Sequence, residues 1–459
     1  MSGWAADELD WANLGDARLK RRLVRIVEAL SAQPGASVPQ AMGDWAATKG
    51  AYRFWDRKDV TAAAILGPHQ AQSVARAGGQ ERVLVVQDTT DLDFSTHPNT
   101  DGLGPLDNQW VRGLKVHSAL LVSLLGVPLG LVHQQVWTRS GPIEKHRRQR
   151  ATAEKESQRW LATLTASQAR VPPEIGLITV ADREADIYDL FALPRRAGSD
   201  LLIRAAHNRA VSEADGYVQQ AIQAAPLAGT LTVTIPRHDD APAREATLQV
   251  RFATLHWQPP SHHKQRKELA PIAVQVVLAT ETPAPAKGKP IRWLLVTTLP
   301  VTTLAEAVQI VHWYTLRWVI ERFHYVLKRG CHIEQLQLET AARLQRALAT
   351  YDLVAWRLLW LTYQARVSAD QPASTHFAPE EIQLLAQLPQ LPKLPADQPL
   401  TLHQAVRRIA QLGGFLARKA DGEPGVKTIW RGLQRLTDLL AGWRAATTTP
   451  APHAPQTYG

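Results

Sequence analysis

The chain reads as a mixed α/β domain that contains a β-only stretch and is flanked by helical regions. Three observations point there. From about residue 80 the apolar residues gather in short runs rich in Val, Ile and Leu; residues 1 to about 75 repeat their apolar groups at helical spacing; and residues about 207–300 alternate polar with apolar. A length of 459 residues exceeds one ordinary hydrophobic core, and 45% apolar residues can supply two or three folding units.

The first helical region is the clearest at residues 15–30. There Leu19, Leu23, Ile26, Val27 and Leu30 recur on one face of a helix, while Arg18, Arg21, Arg22 and Arg25 fall on another. One stripe packs and the other meets solvent or phosphate; a solvated basic face gives the same pattern.

The runs at 83–86, 115–125, 128–137, 175–181 and 201–203 are short and rich in branched residues, which predicts buried strands, with helices near 153–168 and 184–193 between them. The apolar stretch 118–132 is interrupted by Ser123, Gly126, Pro128 and Gly130. It falls short of the roughly 20 residues of a membrane-spanning helix and reads as two strands and a turn. Runs at 231–235, 246–255, 272–279 and 291–298 predict the β-only insertion. Helix returns at about 304–328 and 340–365, a Pro-rich connection covers 388–395, and a last helical segment spans about 401–445. The tail from Thr447 is poor in large apolar groups and is expected to be disordered.

A formal charge of +10 favours polyanionic partners, because Lys and Arg that neutralise phosphates release condensed counterions. A basic surface kept for solubility is the plainer alternative. Cys331 is the only cysteine, which excludes an intrachain disulfide and a cysteine-rich zinc site and suits a reducing compartment. The first residues show no charged segment followed by an apolar one, so a cytoplasmic protein without a membrane anchor is expected.

Asp88 and Asp182 each follow a predicted central strand. Two carboxylates brought together in a partly buried site repel each other unless a proton or cation intervenes, so a divalent metal is a natural third component. An Asp at a strand end also starts turns and caps helices. In the helical stretch from Val301 to Gly330, Thr303 with Glu306 forms a plausible capping box and Gly330 a stop. At about 100° per residue, Tyr314, Arg317, Glu321, His324 and Lys328 fall within an arc roughly 80° wide and about 21 Å long. Val308, Val311, Leu316, Val319, Phe323 and Val326 take the other side. Such a row fits a metal ligand flanked by phosphate contacts; Glu321 paired with Arg317 or Lys328 on a solvated face is the alternative.

The spacing of Tyr314, Arg317, Glu321 and Lys328 resembles the Y-R-E-K signature of the DDE transposases of insertion-sequence family four (the IS-four family), most closely its Tn-five branch. Further segments are similar in the same order: Asp88-Thr-Thr with Leu92, Val116-His-Ser-Ala-Leu-Leu121, Glu154-Lys-Glu-Ser157, Asp182-Arg-Glu-Ala-Asp-Ile187, Arg292-Trp-Leu-Leu295 and Leu412-Gly-Gly-Phe415. Together they run along nearly the whole chain.

The resemblance implies a ribonuclease-H-like catalytic core at 76–365 with an all-β insertion at about 207–300. It also implies an N-terminal helical DNA-binding domain at 1–75 and a C-terminal helical dimerisation region at 366–459. Asp88, Asp182 and Glu321 then match the catalytic triad that holds two divalent ions, Mg²⁺ or Mn²⁺. Tyr314, Arg317 and Lys328 match residues that hold DNA phosphates, Trp293 matches one that stacks on a flipped nucleotide, and Arg18, Arg21, Arg22 and Arg25 stand in the DNA-binding domain.

The implied partners are double-stranded DNA, as transposon ends and as target, and a second copy of the chain in the synaptic complex. Neither a nucleotide cofactor nor a membrane is expected, and the setting is the bacterial cytoplasm, at the nucleoid when DNA is bound. The implied reaction is cut-and-paste transposition through a hairpin intermediate; a catalytically degenerate DNA-binding regulator is the alternative.

Tyr325 and Gln337 depart from the pattern, standing where the Tn-five branch carries basic side chains that touch DNA. Residues 145–150, Lys-His-Arg-Arg-Gln-Arg, add local basicity. Gly425-Val-Lys-Thr428 lacks the spacing of a phosphate-binding loop, and His262-His263 lacks metal-ligand partners at sequence spacing. A glycosidase-like carboxylate pair is the remaining competitor, and the basic residues around Glu321 fit a phosphate better than a neutral sugar.

Overall fold

The computed structural model describes residues 3–140, 155–213, 216–235, 244–261, 263, 266–285, 288–388, 391 and 398–448. The basic run 145–150, Glu154, His262, most of the Pro-rich connection and the tail beyond residue 448 lie outside them. Contacts divide the chain into two compact units. One comprises Gln70–Thr96 and Leu103–Arg322; the other comprises Met1–His69, His97–Gly102 and Phe323–Gly459.

The first unit is built on one ten-stranded sheet. Its strands are β1 (Arg82–Asp93), β2 (Gly104–Pro105), β3 (Arg112–Ser123), β4 (Pro128–Trp137), β5 (Gly176–Ala181), β6 (Ser199–Arg204), β7 (Gly229–Ile235), β8 (Arg244–Trp257), β9 (Ile272–Glu281) and β10 (Arg292–Thr297). β4, β3 and β1 pair antiparallel, and β1, β5 and β6 pair parallel. Parallel neighbours need a crossover, and the helix Gln158–Arg170 lies in the connection from β4 to β5, burying Trp160, Leu161 and Leu164. The turn between β3 and β4 is the one read from sequence, with Gly126 at φ 87° where a side chain would be strained.

The insertion strands do not form a separate sheet. β10 pairs antiparallel with β6, and β9, β8 and β7 follow in order. Trp160, Leu164, Leu201 and Ile203 of the central part share one apolar cluster with Trp257, Val274, Val276 and Leu294 of the insertion. The stretch read as β-only also holds a short helix, Val218–Ala224, which buries Val218, Ala221 and Ile222. Seven residues are too few to impose a legible period.

In the second unit the helix Ala17–Ala32 buries the five expected apolar residues, and its N-cap Asp16 accepts the Arg18 amide at 2.7 Å. The helix Ala341–Val367 is buried around nearly its whole circumference from Ala347 to Thr362. The Trp55 indole, on the helix Trp45–Asp56, donates to Thr350 Oγ1 at 3.1 Å. Two helices replace the single one expected at 401–445: Leu402–Leu412 and Val426–Thr448, separated after Gly413 and Gly414, the latter at φ 95°. They cross backbone to backbone, since a Cβ on Gly413 would lie 1.9 Å from Thr428 O and one on Gly432 1.7 Å from Ile409 O. No helix among the described residues is long and apolar enough to cross a membrane.

Candidate active site

Parallel pairing of β1 with β5 ends at Val86 opposite Val180, so Asp88 and Asp182 both stand two residues beyond the last pair. An even step keeps both side chains on the face of that pair, on strands about 4.8 Å apart. The crevice beyond the carboxyl ends of parallel strands is where α/β sheets place their ligands. Asp88 accepts the Thr89 amide at 2.8 Å, and Asp182 caps the short turn Arg183–Ala185 by accepting the Glu184 amide at 2.9 Å. Burial pushes the Asp88 carboxyl up to about 7; the charges of Asp182 and Glu321 push the same way, against Arg317 and the Thr89 amide. Both other acids are therefore close enough for Asp88 to feel them.

The helix that carries the third acid is not the single straight one expected. It runs as Leu304–Thr315, breaks, resumes as Trp318–Tyr325 and ends in a π-helical turn, Val326–Gly330, with the Cys331 amide donating to Val326 O at 2.8 Å. The capping box of Thr303 and Glu306 is present. The break places Arg317 between the two segments, where it is buried and donates from Nη2 to Glu321 Oε1 at 2.6 Å. Its guanidinium also lies 5.2 Å from the Trp318 ring centroid and 6.0 Å from that of Tyr314.

Tyr314 is 2% exposed, so the row of polar groups is not an exposed stripe. Burial raises the Tyr314 phenol, against the positive charges of Arg317 and Arg204. The Trp293 ring, half-buried on β10, meets Tyr314 edge-on at 5.8 Å and 65°. Arg204 was not singled out from sequence. It follows Ile203, the residue opposite Ala181 next to Asp182, so register alone brings it to the site.

Three family models match the chain: transposase DNA-binding over residues 1–60, transposase DDE domain over 88–358, and transposase Tn5 dimerisation domain over 353–450. The DDE match begins at Asp88, includes Asp182 and Glu321, and covers more than half of the chain. The chain belongs to the DDE transposases. The transposase is thus a DNA-binding, dimerising enzyme whose catalytic domain implies dependence on divalent metal.

Three carboxylates are hard oxygen donors suited to such an ion. Asp88 and Asp182 form the coupled half of the set, while Glu321 is turned to Arg317. Among the described residues no three His, Cys, Asp or Glu side chains stand close enough to hold a metal. The donor chemistry fits, and the third donor is engaged elsewhere.

Lys328 of the transposase belongs to the second unit, on the π-helical turn, with its ammonium 3.7 Å from Glu334. His324 is buried and held down to about 3, by burial first and then by Lys328. Tyr325 packs its ring on Trp430 at 5.7 Å, and an exposed Gln337 side chain borders a cavity of about 270 Å³ with His332 and Tyr52. Arg18, Arg21, Arg22 and Arg25 are all exposed. Arg22 lies over Gly50, where an added Cβ would sit 1.9 Å from Nη1. His263 finds a partner that sequence spacing hides, Asp189 Oδ1 at 2.9 Å.

Proposed function

We propose that the transposase is a cut-and-paste enzyme that binds transposon-end inverted repeats, cleaves through a hairpin intermediate and joins the freed 3′ ends to target DNA. The observation that carries this reading is the coupling of Asp88 and Asp182 at matched register, with Glu321 near enough to be felt. In it, Asp88, Asp182 and Glu321 hold two divalent cations, Mg²⁺ or Mn²⁺, which when bound activate the attacking oxygen and stabilise the leaving one in an in-line displacement.

Arg317 holds Glu321 by Oε1 alone; passing Arg317 to a DNA phosphate would free that oxygen for a metal, so one exchange would supply both roles. Tyr314 and Lys328 hold further phosphates, and Trp293 offers its ring to a nucleotide flipped at the hairpin tip. The four exposed arginines of the helix Ala17–Ala32 contact the repeat. Residues 1–75 form the end-binding domain, 76–365 the catalytic domain and 366–459 the dimerisation region that brings two copies together in the synaptic complex. The setting is the bacterial cytoplasm, at the nucleoid when DNA is bound.

The test uses DNA carrying the inverted repeats that flank the gene, with Mg²⁺. Asp88→Asn, Asp182→Asn and Glu321→Gln are each expected to abolish strand cleavage while retaining end binding in a gel-shift assay. A variant that still cuts at the wild-type rate removes its residue from the triad. Wild-type protein that grips the ends and never cuts, with Mg²⁺ or Mn²⁺, is a regulator instead.

A further inference from the structure

Asp88 and Asp182 are each held by the backbone amide of a neighbour, Thr89 at 2.8 Å and Glu184 at 2.9 Å. The side chains of those two neighbours meet at a single residue. Arg159, on the helix Gln158–Arg170, donates from Nε to Thr89 Oγ1 at 2.9 Å and from Nη2 to Glu184 Oε2 at 2.6 Å, while Nη1 donates to Glu156 O at 3.0 Å. Its guanidinium lies near two indoles, 5.8 Å from the Trp137 centroid and 5.5 Å from that of Trp160. Thr89 is further tied to the buried His117, whose Nδ1 is 2.9 Å from Oγ1.

We propose that Arg159 is a positioning residue that sets the separation of Asp88 and Asp182, and with it the affinity of the pair for a divalent cation. The proposal rests on the reading of the two aspartates as metal ligands. β1 stays paired with β3 through Asp88 and Thr89, but β1 and β5 pair only as far as Val86 and Val180 and β5 ends at Ala181, so no strand ladder holds Asp182 against Asp88. Past Ala181 the chain enters the short turn Arg183–Ala185 while β1 continues, and Arg159 is one group that grips both. A planar guanidinium with separate donors can hold two acceptors at a fixed spacing, whereas an ammonium serves them as a point charge. Repulsion between the carboxylates would otherwise spread them, at the expense of a shared cation site.

The test is Mn²⁺ alone, titrated into the full-length protein without DNA and followed by the electron paramagnetic resonance of free Mn²⁺, with thermal melting of the same samples. Arg159→Ala is expected to weaken Mn²⁺ binding about tenfold, equivalent to roughly 1.4 kcal/mol. Arg159→Lys should recover part of that loss. Glu184→Gln, at an exposed side chain, should weaken binding in the same direction and serves if Arg159→Ala does not fold. Asp88→Asn should remove the site. If Asp88→Asn loses Mn²⁺ while Arg159→Ala and Glu184→Gln bind it as wild type does, the positioning role is overturned and the metal site stands. A lower melting temperature with unchanged Mn²⁺ affinity overturns it as well, since Arg159 would then be structural. If Asp88→Asn binds Mn²⁺ like wild type, the metal reading of the aspartates fails and takes the proposal with it.

Discussion

Two kinds of scaffold meet at the transposase site. Asp88 lies within β1, paired with Ser118 of β3, and Asp182 follows the end of β5 at the same level of the sheet; β1 is fully buried from Val83 to Gln87 just before the first of them. Glu321 comes from a helix broken four residues earlier, and its carboxylate is occupied by the arginine at that break. A sheet register changes only by steps that turn every side chain to the other face. A helix break and a 2.6 Å ion pair exchange partners at far smaller cost. The strand half is thus the more firmly held part of the proposed site, and the helix half the part that can rearrange more readily.

The sharpest way to break that contrast is Arg317→Ala. It frees Glu321 and removes the nearby cation that opposes the rise of the Asp88 carboxyl. If Arg317 passes from Glu321 to a phosphate, single-turnover nicking should fall about 10²-fold or more, the usual loss for one electrostatic donor. Melting should change little. A rate within twofold of wild type would mean that the guanidinium only parks Glu321.

The strand half should answer in stability instead. Gly113 on β3 faces Asp93 near the end of β1, and an added Cβ would lie 1.9 Å from Leu92 O. A methyl group there meets backbone, so β1 and β3 must part. Gly113→Ala is expected to cost about 1–3 kcal/mol by denaturant titration. Ordinary stability with normal nicking would show that the strand end yields more readily than its register implies.

A smaller effect separates the two halves by pH. Folded Asp88 keeps its proton up to about pH 7, whereas an ordinary Asp loses it near 3.8. Between those values the folded state binds more protons, so this group makes stability fall as pH rises and its cost is complete above about 7. Asp88→Asn, though expected to be inactive, should therefore melt a few degrees higher than wild type at pH 8 without metal and match it near pH 4. Mg²⁺ should raise the melting temperature of wild type at pH 8 more than that of the variant. Identical pH profiles would remove the electrostatic coupling.

The contrast also governs what could be read in advance. Residues 83–86 and 175–181 are short branched runs with an Asp one or two residues beyond, which singled out both acids; Asp182 does follow the end of its strand, but the strand end expected at Asp88 is not there, since β1 continues to Asp93 on its pairing with β3. The break at Arg317 was not legible, because apolar residues keep helical spacing straight through it: Val311, Val319 and Phe323 are buried on both sides of the interruption. Tyr314 was expected in a row of phosphate contacts beside a metal ligand, and its burial could not be read there because Trp293 and Arg204 approach it from strands far away in sequence. Arg159 carried no signal at all, since a lone arginine at the start of a helix is commonplace and its partners lie 70 and 25 residues away. The pair Gly413-Gly414 did mark a helix end, and the expectation of one segment passed over it.

The mildest change bears on Trp293, which sits where the two halves touch. Its ring is half-buried on β10 and meets the Tyr314 ring edge-on, so packing and stacking on a base are both open to it. Stacking on a base is worth about 1–3 kcal/mol when lost to alanine, so Trp293→Ala should slow hairpin formation about 10- to 100-fold. Trp293→Phe keeps the edge contact and a smaller face, and should lose only a few-fold. An abasic site at the flipped position distinguishes packing from stacking. On that DNA there is no base to hold, so a stacking tryptophan leaves wild type, Trp293→Phe and Trp293→Ala forming hairpins at similar rates. A packing tryptophan leaves the same gap between variants on both substrates, together with a lower melting temperature for Trp293→Ala.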